Sequence, residues 1–149
     1  MRSPAVTDVC GHASDVQFDN VAVSVTDLDQ SIAFYERVFG FTVSYRTYSE
    51  AVEAHFVLLE IPGMRIELLS RPGIELSPAM TPGPHLATSG LKAIVFRTHD
   101  LEAVTRRFES LGLALVWRLK SVSADGLRAT MIRDPDGNLI NVLSYPKPS

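Results

Sequence analysis

The stretch NVAVSVTDLDQSIAFYERVFGFTVSYR, residues 20–46, changes its hydrophobic period partway along. Val21, Val23 and Val25 alternate with Ala22 and Ser24, the period of two that marks a half-buried strand. Leu28, Ile32, Tyr35 and Phe39 then recur at helical spacing. Asp27 stands between the two patterns, where a carboxylate can accept the free N–H groups of a first helical turn. Gln30, three residues on, makes a variant of the capping box. Gly40 ends the helix, where a left-handed residue is wanted. Asn20 is the odd residue, a polar group at the mouth of an otherwise apolar strand.

The same passage occurs again. AIVFRTHDLEAVTRRFESLGLALVWR, residues 93–118, lays Asp100-Leu101 on Asp27-Leu28 at an offset of 73. Gly112, Trp117 and Arg118 fall on Gly40, Tyr45 and Arg46 at an offset of 72. Further on, IPGMRIELLS (61–70) lies over PDGNLINVLS (135–144) at an offset of 74. Self-similarity at a fixed period is the mark of a duplicated module. Each copy reads as a strand, a capped helix and three more strands. These later strands are predicted at 42–48, 54–60 and 64–69, and again at 114–120, 127–133 and 139–144. Pro62-Gly63 and Asp136-Gly137 are the expected tight turns before the last strand of each copy.

The expected organisation is a flexible leader (1–15) and one domain (16–145), followed by a short tail (146–149). The domain divides into module one (16–70), a Pro/Gly/Ser-rich connector (71–89) and module two (90–145). Apolar residues at 46% and charged residues at 21% of 149 suit a packed globular chain. A net charge of -3 without a basic cluster argues against nucleic acid, which needs a cationic face. No apolar run is long enough to span a bilayer, and residues 1–15 lack the apolar core of a secretory signal. One cysteine, Cys10, permits no intramolecular disulfide, so a reduced, cytoplasmic setting is expected.

VTDLDQSIAFYERVFGF and RDPDGNLINVL resemble the two best-marked segments of the vicinal oxygen chelate superfamily. That group includes glyoxalase I, methylmalonyl-CoA epimerase, extradiol dioxygenases, fosfomycin-resistance enzymes and bleomycin-binding proteins. The resemblance spans about residues 16–145. It implies an α+β fold in which two tandem βαβββ modules form a cup-shaped, mostly antiparallel open barrel, and it implies a homodimer. It also implies four metal-ligand positions, two per module, which fall on Asn20, Glu67, Ala93 and Asn141. The repeat pairs these positions in the same way, 20 with 93 and 67 with 141. The superfamily pattern would place His or Gln at the first pair and usually Glu at the second, so only Glu67 conforms. Ala93 cannot ligate, and two neutral amides beside one carboxylate make a poor site for zinc, nickel or iron. No metal and no cofactor are therefore expected.

Strand alternation groups the remaining candidates. With Asn20 facing the cup, Ser24 follows; with Glu67, Arg65; with Ala93, Arg97. Val21, Val23, Val25, Ile66, Leu68, Ile94, Phe96, Ile140 and Val142 then face the helices as core. Such a cup suits a small organic ligand. Asn20 and Asn141 would bind neutral oxygens or else hydrogen-bond to each other, and Arg65 and Arg97 would pair with an anionic group. Ala93 and Ser24 would add small surfaces. Glu67 is either a general acid/base or a remnant held in an ion pair. Leu76 and Met80 in the connector are available as a lid. The facing of Tyr45, Phe56 and Trp117 stays open at this stage.

Two functions follow. The chain is a metal-free binding protein that sequesters an organic compound such as an antibiotic, the mild acidity being compatible with a cationic drug. Alternatively it is a metal-independent isomerase, lyase, cyclase or ring-opening enzyme that moves a proton through Glu67.

Overall fold

The computed structural model describes residues 16–78 and 81–146, so the leader 1–15, Ala79, Met80 and the last three residues lie outside the described residues. Module one runs β1 (Val21–Ser24), α1 (Leu28–Phe39), β2 (Thr42–Ser49), β3 (Ala54–Ile61) and β4 (Met64–Ser70). A short helix, α2 (Pro82–Leu86), follows in the connector. Module two runs β5 (Ile94–Arg97), α3 (Leu101–Ser110), β6 (Trp117–Ser121), β7 (Arg128–Arg133) and β8 (Leu139–Ser144). The sheets have the orders β1-β4-β3-β2 and β5-β8-β7-β6. In each, one parallel pair is followed by two antiparallel ones. This is the expected α+β architecture of two βαβββ modules, an open cup with no closed barrel. No helix of the described residues is long and apolar enough to cross a membrane.

The helices begin and end as their sequences dictate. Asp27 accepts from the Gln30 amide at 2.9 Å and Asp100 from the Ala103 amide at 2.8 Å. Gly40 takes φ 76° and closes α1 through its N–H to the Glu36 carbonyl. Two elements depart from the expectation. β6 starts at Trp117 rather than 114, because Leu113 and Leu115 pack into the core after the helix instead of joining the ladder. The connector carries α2, opened by Pro82 at its first position, where a missing N–H costs nothing.

The helix-facing residues of both sheets meet in one core. Val25, Ile66 and Leu68 of module one and Ile94, Ile140 and Val142 of module two belong to the same buried cluster. Phe39 of α1 stacks on Phe96 of β5 with ring centroids 4.5 Å apart and meets Phe108 of α3 at 6.0 Å. Arg107 of α3 donates to the Arg37 and Val38 carbonyls that α1 leaves free at its C-terminus.

Polar contacts lock the same joint. The turn between β7 and β8 docks on the start of module one. Asp136 accepts from the Thr26 amide at 3.0 Å and from its hydroxyl at 2.6 Å. Asp134, only 5% exposed, accepts from the Tyr35 hydroxyl at 3.1 Å, from the Asn138 amide and side chain, and from the Asp136 amide. Burial pushes the Asp134 carboxyl above the usual carboxylate range, and the Asn138 and Tyr35 bonds partly offset it. Burial first, and the neighbouring Asp134 charge second, push the Tyr35 phenol well up, so it stays a donor. Tyr35→Phe should therefore lower stability by about 2 kcal/mol, because a buried carboxyl loses a donor. Urea denaturation followed by circular dichroism measures this, and an unchanged midpoint would count against the joint as described.

Candidate functional site

Each sheet has a second face, turned away from the shared core, and register places its residues in matching rows. In module one the row is Ala22, Glu67, Leu58, Tyr45. In module two it is Val95, Asn141, Met131, Trp117. Tyr45 and Trp117 reach these rows because both rim strands carry a bulge, between Val43 and Tyr45 in β2 and between Trp117 and Lys120 in β6. Phe56, opposite Leu69, shares the outer face of module one. In β6 the bulge is held from behind: the Leu119 amide, at φ 47°, donates to the buried Thr130 hydroxyl.

The outer face of module two holds a cavity of about 250 Å³. Its floor is Ala93, Val95, Leu139, Asn141, Met131 and Trp117. Pro82, His85 and Leu86 of α2 cover it, and Lys92 stands at its side, donating to the Thr88 hydroxyl at 3.2 Å. Two polar atoms in this lining are buried and have no protein partner among the described residues: Asn141 Oδ1 and His85 Nδ1. A buried polar atom normally finds a partner, so these two atoms are free to hydrogen-bond within the cavity. A more open cavity of about 370 Å³ adjoins it and is lined by Val95, Phe96, Arg97, Leu143 and Tyr145.

The residues singled out in the sequence divide between the two sheets. Ala93 and Asn141 line the roofed cavity and Arg97 the open one. Glu67, Arg65, Asn20 and Ser24 belong to module one, and none of them lines either cavity. Asn20 does not bond to Asn141. Its side-chain amide donates to Asp19 at 2.7 Å, and Asp19 also receives Arg65 at 2.8 Å, which with Glu60 completes an exposed ion cluster. The Asn20 hydrogen bond first, and Arg65 as well, hold the Asp19 carboxyl below its ordinary value. Of the two connector residues available as a lid, Leu76 does not line the cavity and Met80 lies outside the described residues; Pro82, His85 and Leu86 of α2 line it instead. Sequence reading passed over His85, Leu86, Lys92 and Met131. The signal available for the first two was a Pro-Gly-Pro opening at 82–84 in an otherwise irregular connector.

The superfamily's metal does not fit these residues. Ala93 offers no donor, Asn20 is engaged by Asp19, and what remains is one carboxylate, Glu67, and one neutral amide, Asn141. Among the described residues no three His, Cys, Asp or Glu side chains are grouped to hold an ion.

The model of the Glyoxalase/Bleomycin resistance protein/Dioxygenase superfamily matches residues 17–142. The chain belongs to this superfamily. It is 30% identical over 125 residues to the YaeR protein of Escherichia coli (strain K12), covering 81% of this chain and 90% of the relative. In structure it is similar to a glyoxalase family protein from Enterococcus faecalis, with a TM-score of 0.73 and 19% identity over 85% of this chain and 96% of that one. It is also similar to the fosfomycin resistance protein FosX of Listeria monocytogenes, with a TM-score of 0.66 and 16% identity over 88% and 94% of the two chains. At these identities the two structures establish the fold alone.

An orphaned acceptor is a standing cost to the ligand-free protein. Asn141→Leu should therefore raise stability by about 1 kcal/mol in the absence of ligand, since it removes a buried atom that lacks a partner. A thermal or urea midpoint that falls instead would show that Asn141 is already satisfied.

Proposed function

We propose that this protein binds a small organic molecule, without a metal, in the cavity of module two beneath α2. One observation carries the reading: a half-open, largely apolar cavity presents two buried hydrogen-bonding atoms, Asn141 Oδ1 and His85 Nδ1, that have no protein partner among the described residues. A guest that satisfies them replaces an unmet cost with two hydrogen bonds. The chain's single tryptophan lies in the lining, which makes occupancy directly readable. A thermal-shift screen of small organic compounds, both neutral and charged, should yield hits that also change Trp117 emission, and Asn141→Leu should weaken them about tenfold. Hits that raise the midpoint but leave Trp117 emission and the Asn141→Leu affinity unchanged would place the ligand elsewhere. Elemental analysis of tag-free protein should find transition metal far below one equivalent. A full equivalent would overturn the metal-free part of the reading. The lone Cys10 supports a reducing, cytoplasmic setting.

A second reading makes the protein a homodimeric, metal-independent enzyme. The matching rows favour it, because a two-fold axis that lays the Glu67 row of one copy over the Asn141 row of another does so twice. Glu67 would then face the partner's cavity as a general acid/base for isomerisation, elimination, ring opening or cyclisation. Under this reading Glu67→Gln lowers turnover of a bound compound by about 100-fold or more while affinity changes little. A protein that sediments as a monomer at micromolar concentration, or turnover indifferent to this substitution, discards it and leaves the sequestering reading.

A further inference from the structure

The chain carries a net charge of -3, yet the charged side chains that line the two cavities, Lys92 and Arg97, are basic. His85 and Lys92 line the roofed cavity and Arg97 lines the open one beside it, and neither lining contains an Asp or a Glu. The two cavities are neighbours along β5, and Val95 lines both. They follow the same pair of strands: Val95 pairs with Asn141 in the roofed part, and Arg97 pairs with Leu143 in the open part. No hydrogen bond or ion pair joins the Arg97 guanidinium to another described residue. In contrast, Arg65, Arg118 and Arg128 each have a carboxylate partner. An arginine kept free of carboxylates at the mouth of an apolar cavity is equipped for an anion that arrives with the ligand.

We propose that the ligand is an organic anion that lies along β5 and β8. Its apolar body, best a ring, fills the roofed cavity beside Trp117 and Met131. A hydroxyl or N–H on the body donates to Asn141 Oδ1, and a carboxylate or phosphate outside the roof pairs with Arg97. Two residues along a strand advance about 7 Å, which sets the separation between the donor and the anionic group. The proposal rests on the binding reading above and sharpens it. It runs against a cationic drug, which an acidic chain would otherwise suggest, because the charge that matters is local to the cavity.

Three matched probes test it on the full chain by titration calorimetry: 4-hydroxyphenylacetate, its neutral amide, and tyramine, which bears an ammonium group instead. The acid should bind at least about tenfold more tightly than the amide, and tyramine most weakly. The preference for the acid should shrink to below about twofold in Arg97→Gln and persist in Arg97→Lys, which keeps the charge. Raising the salt should weaken the acid and spare the amide. Equal binding of acid and amide, tighter binding of tyramine, or a preference that survives Arg97→Gln overturns the proposal. Failure of all three probes to bind overturns it as well. The broader binding reading falls only if the neutral compounds of the thermal-shift screen also leave Trp117 undisturbed.

Discussion

The molecule depends on one joint, the docking of the β7–β8 turn against the first turns of α1. Asp134 and Asp136 receive Tyr35 and Thr26 from the other module, and the aromatic contact of Phe39 with Phe96 lies on the same side of both sheets. A buried carboxyl is tolerated only when donors surround it, and Asp134 has four. This arrangement determines where function can reside. Because the two sheets join through their helix-bearing faces, their other faces remain available, and both carry the polar residues that matter. The two segments most typical of the superfamily, VTDLDQSIAFYERVFGF and RDPDGN, therefore supply the hinge of the architecture more than its chemistry.

Much of this was legible in the sequence, for identifiable reasons. Periods of two and of three to four residues reveal strands and helices directly, so Val25, Ile66, Leu68, Ile140 and Val142 fell on the core side as expected. The internal repeat also paired positions 67 and 141, and each sits at the second place of its four-residue row. What periodicity cannot carry is the relation between modules. Asn20, Glu67, Ala93 and Asn141 looked like one constellation because the superfamily unites those positions, whereas within a single chain they belong to two sheets. Tyr45 and Trp117 could not be oriented because a bulge breaks the alternation that would have oriented them. The cover over the cavity was missed because a five-residue helix rich in Pro and Gly has no apolar face to detect.

The two modules differ at their corresponding positions. In module one the position beside Asn20 carries an exposed ion cluster of Asp19, Arg65 and Glu60. In module two Asn141 stands where module one has Glu67, and Ala93, Trp117 and α2 line a cavity there. Neutral amides and arginine recognise organic groups by hydrogen bonding and charge, where a carboxylate and imidazole set would have claimed an ion. At three of the four positions the chain departs from the superfamily pattern, while both sheets keep the same strand order.

The bulges in β2 and β6 also govern how the protein meets its neighbours. Both strands lie at the rim of their sheets, where a straight edge would offer an unpaired row of N–H and C=O groups to any passing extended chain. An extra residue twists that edge and spoils its spacing, and Arg46, Arg118 and Lys120 crowd the same strands with positive charge. Two sheets that never close into a barrel thus keep their open edges in water without recruiting further strands. The irregularity that turns an aromatic ring toward the outer face also makes the rim a poorer template for another strand.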